Sequence, residues 1–266
     1  MGEDRMSHLV ILMYHGLVRD QDDLRHIARE DRPYTLSLRQ FESQLDAIAH
    51  AGIPVRDAQQ LRMGEPVEPG VVISFDDGHA SNAELALPAL RARAMSACFF
   101  ITTGFVGQRA GYCSWDQVRE LAEGGMCLGA HGHRHRFLAG LDSAELETEL
   151  RQSHELLSHH LGRAPRQMSF PGGRHDARAV AAARAVGFDV LHGSHPGSLD
   201  SSRILSVRVL PRMAMRPELD LPAFMARARA DRGFLMRARA IEAGKALARG
   251  VLGHERYHRL YARLRA

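Results

Sequence analysis

Lysine is nearly missing from this chain: of its 35 Lys and Arg residues, only Lys245 is lysine. So broad an arginine preference reflects genome composition more than recognition chemistry, and it carries little weight. Cysteine is scarce as well. Cys98, Cys113 and Cys127 are odd in number and lack CxxC spacing, which predicts reduced, mostly buried thiols. No apolar run approaches the ~18 residues of a membrane span. The apolar stretch 9–14 is too short for the core of a signal peptide, so a cytoplasmic location is expected. No GxGxxG or GxxxxGK[ST] follows a predicted strand, which argues against a nucleotide-binding sheet. Internal repeats and low-complexity stretches are also missing.

What remains is a chain of 266 residues, 45% hydrophobic and 25% charged. That suits one large domain, or one domain with an appendage, and a core that needs no disulfide staples. The net charge of +4 is unevenly spread. Residues 217–266 hold 11 basic against 5 acidic side chains, and the rest holds 24 against 26. The positive charge belongs to the tail.

Over the first 210 residues, short apolar runs alternate with helical periods. Strands are predicted at 9–14, 71–75, 98–101, 126–130, 168–170, 188–191 and 204–209. Ser37-Leu38-Arg39-Gln40 is a capping-box pattern before Phe41, Leu45 and Ile48, and 114–117 is another. Further helices are predicted at 85–95, 142–161 and 177–186. Strand and helix alternating about seven times predicts parallel pairing with helices outside. The expectation is an α/β fold, a distorted (β/α) barrel of about seven strands over residues 1–215, with a basic helical tail at 216–266.

Three segments fall at the C-terminal ends of predicted strands, where barrel loops build active sites. In Ser74-Phe75-Asp76-Asp77-Gly78-His79, two adjacent carboxylates raise one another's pKa unless a cation separates their roles. One metal ligand and one general base is one reading; a solvated Asp-Asp-Gly turn is the other. In His131-Gly132-His133-Arg134-His135, the i, i+4 histidines can share a tetrahedral metal, or the set is surface histidine in a chain with 16 of them. Phe170-Pro171-Gly172-Gly173 can present a backbone N–H to an oxyanion, or is a plain Pro-Gly turn.

Together the three segments resemble the polysaccharide deacetylases of carbohydrate esterase family 4. That family carries [ST]FDDG, H[ST]xxH some fifty residues on, and then a proline-glycine segment. Here Ser74–Gly78 is an intact SFDDG, and His131 and His135 keep HxxxH with Gly132 in place of Ser or Thr. Leu12-Met13-Tyr14-His15, Tyr34-Thr35-Leu36-Ser37 and Phe41-x-x-Gln44-Leu45 are similar to the branch that includes biofilm poly-N-acetylglucosamine deacetylases. The resemblance spans roughly 9–213.

It implies Asp76 as general base and Asp77, His131 and His135 as ligands of a divalent metal, with zinc the expected ion. It implies Pro171, Gly172 and Gly173 at the substrate, and removal of acetyl from an N-acetylated amino sugar in a glycan or a lipid- or nucleotide-linked precursor. Two departures matter. Where many members have an arginine that holds the base, this chain has Ser169; Arg212, in a late Leu-Pro-Arg, is the preferred substitute and Arg208 the other. The family's late histidine has no clean match; His15, His192 and His195 are candidates for the acid, with His15 preferred, and His175 can line the cleft. Trp115 is expected to pack on its own helix, with sugar stacking as the alternative.

The tail reads as a solvated helical hairpin or as a basic amphipathic surface for anionic lipid, with Tyr257, Leu260, Tyr261 and Leu264 on one face. Nucleic acid is not expected, since no binding module is present and the main body is slightly acidic. A deformylase, an O-deacetylase and a non-catalytic sugar-binding barrel remain the alternatives.

Overall fold

The computed structural model describes residues 6–20, 23–24, 27, 31–203, 205–231, 233–237, 240–241 and 244. Strand β1 (His8–Tyr14) is buried along nearly its whole length, as an apolar run covered on both faces must be. A small parallel pair follows, β2 (Leu17–Val18) with β3 (Leu36–Ser37). Helix α1 (Leu38–His50) starts where Ser37 accepts the Gln40 N–H, and it buries Phe41, Leu45 and Ile48. Then come β4 (Gly70–Phe75), α2 (Leu87–Arg91), β5 (Ala97–Ile101), α3 (Trp115–Glu123), β6 (Cys127–Ala130), α4 (Ser143–Leu161), β7 (Gln167–Ser169), α5 (Ala177–Val186), β8 (Val190–His192), β9 (Leu199–Asp200), β10 (Met213–Ala214) and α6 (Leu221–Ala228).

The main sheet runs β10-β1-β4-β5-β6-β7-β8, parallel throughout, with β9 added antiparallel on β1. A bridge from His192 to Leu210 brings the segment before β10 against β8, so the sheet curls nearly to closure. This is the expected distorted barrel of about seven strands. All its parallel strands point one way, so their C-terminal ends gather at one mouth.

Some elements differ from expectation. Residues 205–208 form no strand; the closing strand is the two-residue β10, reached after Leu210 pairs with His192. The helix expected over 85–95 starts earlier, as a π-turn at Asn82–Ala86, and gives way to α2 with Pro88 in its first turn, where a missing N–H costs little. Helix α6 is capped by Asp220 and buries Phe224 and Ala228 in the main core, so the first turns after residue 216 are part of the barrel's packing. Tyr257, Leu260, Tyr261 and Leu264 lie outside the described residues. All three cysteines are free and buried. No described helix is long and apolar enough to cross a membrane.

Candidate active site

Asp76 and Asp77 leave the end of β4 together and turn apart. Asp77 takes φ +75°, left-handed backbone that a residue with a Cβ rarely adopts. The kink sends the two carboxylates to different partners. Asp76 is buried and meets Arg212, which is fully enclosed. Arg212 Nη1 donates to Asp76 Oδ1 and Nη2 to Oδ2, both at 2.7 Å. Its remaining N–H groups donate to the Gly193 carbonyl (2.7 Å), Ser169 Oγ (2.6 Å) and Ser74 Oγ (3.3 Å). Five donors thus find five acceptors, which is what a buried guanidinium requires. Burial works to raise the Asp76 carboxyl, but Arg212 and then His131 outweigh it and hold it at about 2.

The charge expected near position 169 therefore comes from Arg212, on the segment leading into β10. Ser169 contributes a hydroxyl that accepts from Arg212 and donates to Asp76 Oδ2 at 3.2 Å. Arg208 is exposed and takes no part.

Asp77 Oδ1 lies 3.2 Å from His131 Nε2 and 3.2 Å from His135 Nε2. The three ligand atoms fall within 4.8 Å of one another, and among the described residues this is the cluster able to hold a metal. The donor chemistry favours a cation. His131 Nδ1 sits 2.9 Å from the Ser169 carbonyl, which can only accept, so the proton of a neutral ring is on Nδ1. Nε2 then turns a bare lone pair towards a carboxylate oxygen that has no hydrogen-bond donor. Two acceptors at 3.2 Å repel unless a positive charge lies beside both. These residues fit a divalent metal.

His135 also has left-handed backbone, φ +56°, as does Gly132 at +73°. At position 132 glycine meets that demand, where a Ser or Thr would be strained. The loop is tied down from below. Glu149, buried on the inner face of α4, accepts the N–H groups of His133 (3.0 Å) and Arg134 (2.8 Å) through one carboxylate oxygen. The third segment makes a tight turn, with Gly172 at φ +59°, where an added Cβ would fall 2.7 Å from the Phe137 ring.

His15 follows β1 into the same mouth and packs against the Tyr34 ring, with centroids 4.8 Å apart and planes tilted by 32°. Burial holds its imidazole below the usual range against the pull of Asp77 and Asp76, and its Nδ1 has no partner. His79, quoted with the first segment but given no role, lies 3.6 Å from Asp77 Oδ2 and stacks on Tyr112 at 4.6 Å. Of the other candidates, His192 is not in the cleft. It is enclosed, with Nε2 2.9 Å from Gln167 Oε1, and is a core histidine. His195 is exposed. His175 stacks on Phe170, and Trp115 stacks on His160 of α4 at 3.8 Å.

Residues 64–191 match the profile of the polysaccharide deacetylases. This stretch, just under half of the chain, is similar to the polysaccharide deacetylase family. Its members are enzymes, hydrolases acting on amides. The chain is 25% identical over 226 residues to the putative polysaccharide deacetylase YxkH of Bacillus subtilis (strain 168), covering 83% of this chain and 76% of that protein. Among solved structures it is similar to IcaB from Ammonifex degensii, with TM-score 0.68 and 25% identity, covering 84% of this chain and 97% of that one. It shares the fold of the Streptococcus pyogenes deacetylase PplD in complex with acetate, with TM-score 0.70 and 19% identity over 83% of this chain and 98% of that one.

Proposed function

We propose that the protein is a metal-dependent deacetylase that hydrolyses the N-acetyl group of an N-acetylated amino sugar in a glycan or a linked glycan precursor. The observation that carries this reading is the pair of facing acceptors, His131 Nε2 and Asp77 Oδ1, completed by His135 and set beside a carboxylate gripped by arginine. Asp77, His131 and His135 would hold the metal, which supplies Lewis acidity for polarising the acetamide carbonyl and acidifying a water. Zinc suits a two-histidine, one-carboxylate set with open positions.

Asp76 takes a proton from the attacking water, and Arg212 fixes both its oxygens so that the base faces one direction. The water oxygen bonds to the carbonyl carbon, and the carbon–nitrogen bond breaks. The amine leaves with a proton, and acetate is released. In the third segment the Gly173 N–H is taken by Phe170 and the Arg174 N–H by Pro171, which leaves Gly172 as the candidate donor to the developing oxyanion. His15 is the candidate for protonating the amine: it is neutral at rest and able to receive the proton that the base has taken.

Acetate release from short N-acetylglucosamine oligomers, measured before and after chelation, tests the reading. Loss with chelator and recovery with one equivalent of Zn2+ is expected; release indifferent to metal would sink it. Glu149→Gln is expected to weaken metal binding about 10–100-fold by loosening the loop that carries His131 and His135. Metal titration of the stripped protein reads this, and an unchanged affinity would remove Glu149 from the site. The cytoplasmic location, and contact of the tail with anionic lipid, belong to the same proposal and rest on sequence alone. Co-sedimentation with anionic liposomes of the full chain, against one ending at Met236 so that α6 is kept, checks the tail.

A further inference from the structure

Past the ends of β1 and β10 lies a positive charge that the reaction above does not use. The two strands pair Leu12 with Met213 and Met13 with Ala214, and the Met215 N–H still donates to the Met13 carbonyl. Continuing that register puts Arg216 level with His15 at the barrel mouth. The Arg216 guanidinium lies over the Tyr34 ring at 4.9 Å, and Tyr34 in turn packs at a tilt against His15. Tyr34 is therefore engaged by a histidine and a guanidinium, and is a poor platform for the apolar face of a neutral sugar.

Among the described residues, Arg216 has no carboxylate partner. Its charged neighbour on α6 is another arginine: Arg227 donates to the Ala223 carbonyl, lies over the Phe234 ring at 4.4 Å, and is held below its usual range by burial first and then by Arg216. Of the acids nearby in sequence, Glu218 makes no ion pair with either arginine among the described residues, and Asp220 accepts the Ala223 N–H as the α6 cap while still attracting Arg227. Two like charges with only a helix-capping carboxylate acting on one of them gain when a further anion joins them. A guanidinium laid flat on a ring keeps its N–H edge free and loses little further freedom when it forks onto an anion.

We infer that Tyr34 and Arg216 form an anion subsite beside the acetamide site, and that the substrate is an N-acetylated amino sugar bearing a phosphate ester or diphosphate. This rests on the deacetylase reading of the neighbouring metal site. Arg216 is then the residue that sets preference, through substrate binding and not through the chemical step.

The test compares kcat/KM for N-acetylglucosamine 1-phosphate and UDP-N-acetylglucosamine with that for a neutral N-acetylglucosamine trimer. The wild type is expected to favour at least one phosphorylated substrate tenfold or more, with the preference shrinking as salt rises. The two phosphorylated arms separate a monoester from a diphosphate. Arg216→Gln is expected to lower that ratio about tenfold through KM, and Arg216→Lys to restore part of it. A wild-type ratio of one or less, or a ratio that Arg216→Gln leaves alone, overturns the inference. If Arg216→Gln does not fold, Tyr34→Leu, which removes the ring but keeps the charge, is expected to lower the same ratio; an unchanged ratio there counts against it equally. If no substrate is hydrolysed, the deacetylase reading fails by itself. Calorimetric binding of N-acetylglucosamine 1-phosphate to the wild type and to Arg216→Gln then decides the subsite: tenfold weaker binding supports it, and equal binding overturns it.

Discussion

Asp76→Asn is expected to cut kcat for acetate release by about 10²–10⁴-fold, the range for loss of a positioned general base. The amide cannot take a proton from water at neutral pH, but it has the carboxylate's shape and still offers one oxygen to Arg212. The Gly193 carbonyl, Ser169 and Ser74 continue to hold the other guanidinium N–H groups. Asp77, His131 and His135 are untouched, so metal uptake per folded chain should match the wild type. A variant that keeps metal, melts cooperatively and turns over at the wild-type rate would show that the base is another residue.

The second large effect is on stability. Arg212→Met is expected to destabilise the fold by about 3–5 kcal/mol, the usual result of stripping one partner from a buried pair. Asp76 would keep a carboxylate in an enclosed space with only Ser169 left to donate to it. Denaturant melts of Arg212→Met and of the Asp76→Asn, Arg212→Met double variant check this. The double variant should lose less than the sum of the two single losses, because the charge stranded in one is gone in both. Additive losses would mean that the pair is not a unit.

The same pair sets an acid limb in the metal-stripped protein. The folded Asp76 carboxyl, at about 2, lies below its unfolded value of roughly 3.9. Its contribution to stability is therefore complete above about pH 4 and is lost as pH falls from there towards 2. Arg212→Met should remove that limb, since burial alone pushes a carboxyl up.

Much of this was legible in sequence, and the parts that were not have physical reasons. Asp76, Asp77, His131 and His135 sit on strand ends whose apolar runs are plain, so motif and location agreed. Arg212 could be named only because a Leu-Pro-Arg stands late in the chain; nothing in residues 205–212 says that a guanidinium crosses the barrel to β4. Glu149 went unseen although its signal was there. It falls on the face that also buries Leu146, Leu150, Ser153 and Leu157, where a carboxylate needs a partner. His192 misled because a one-residue change at the end of β8 turns a side chain from mouth to core. The strand expected at 204–209 failed for a related reason: its β-branched residues fit a strand, but pairing with β1 is supplied by two residues further on.

The left-handed backbone at Asp77 and His135 sets evolvability against robustness. At each position glycine would relieve conformational strain, and at position 77 it would also remove a buried carboxylate. A screen of this chain for heat tolerance alone would thus drift towards Asp77→Gly and His135→Gly, gaining melting temperature while erasing two of the three candidate metal ligands. Only a screen that scores turnover as well would keep these two residues.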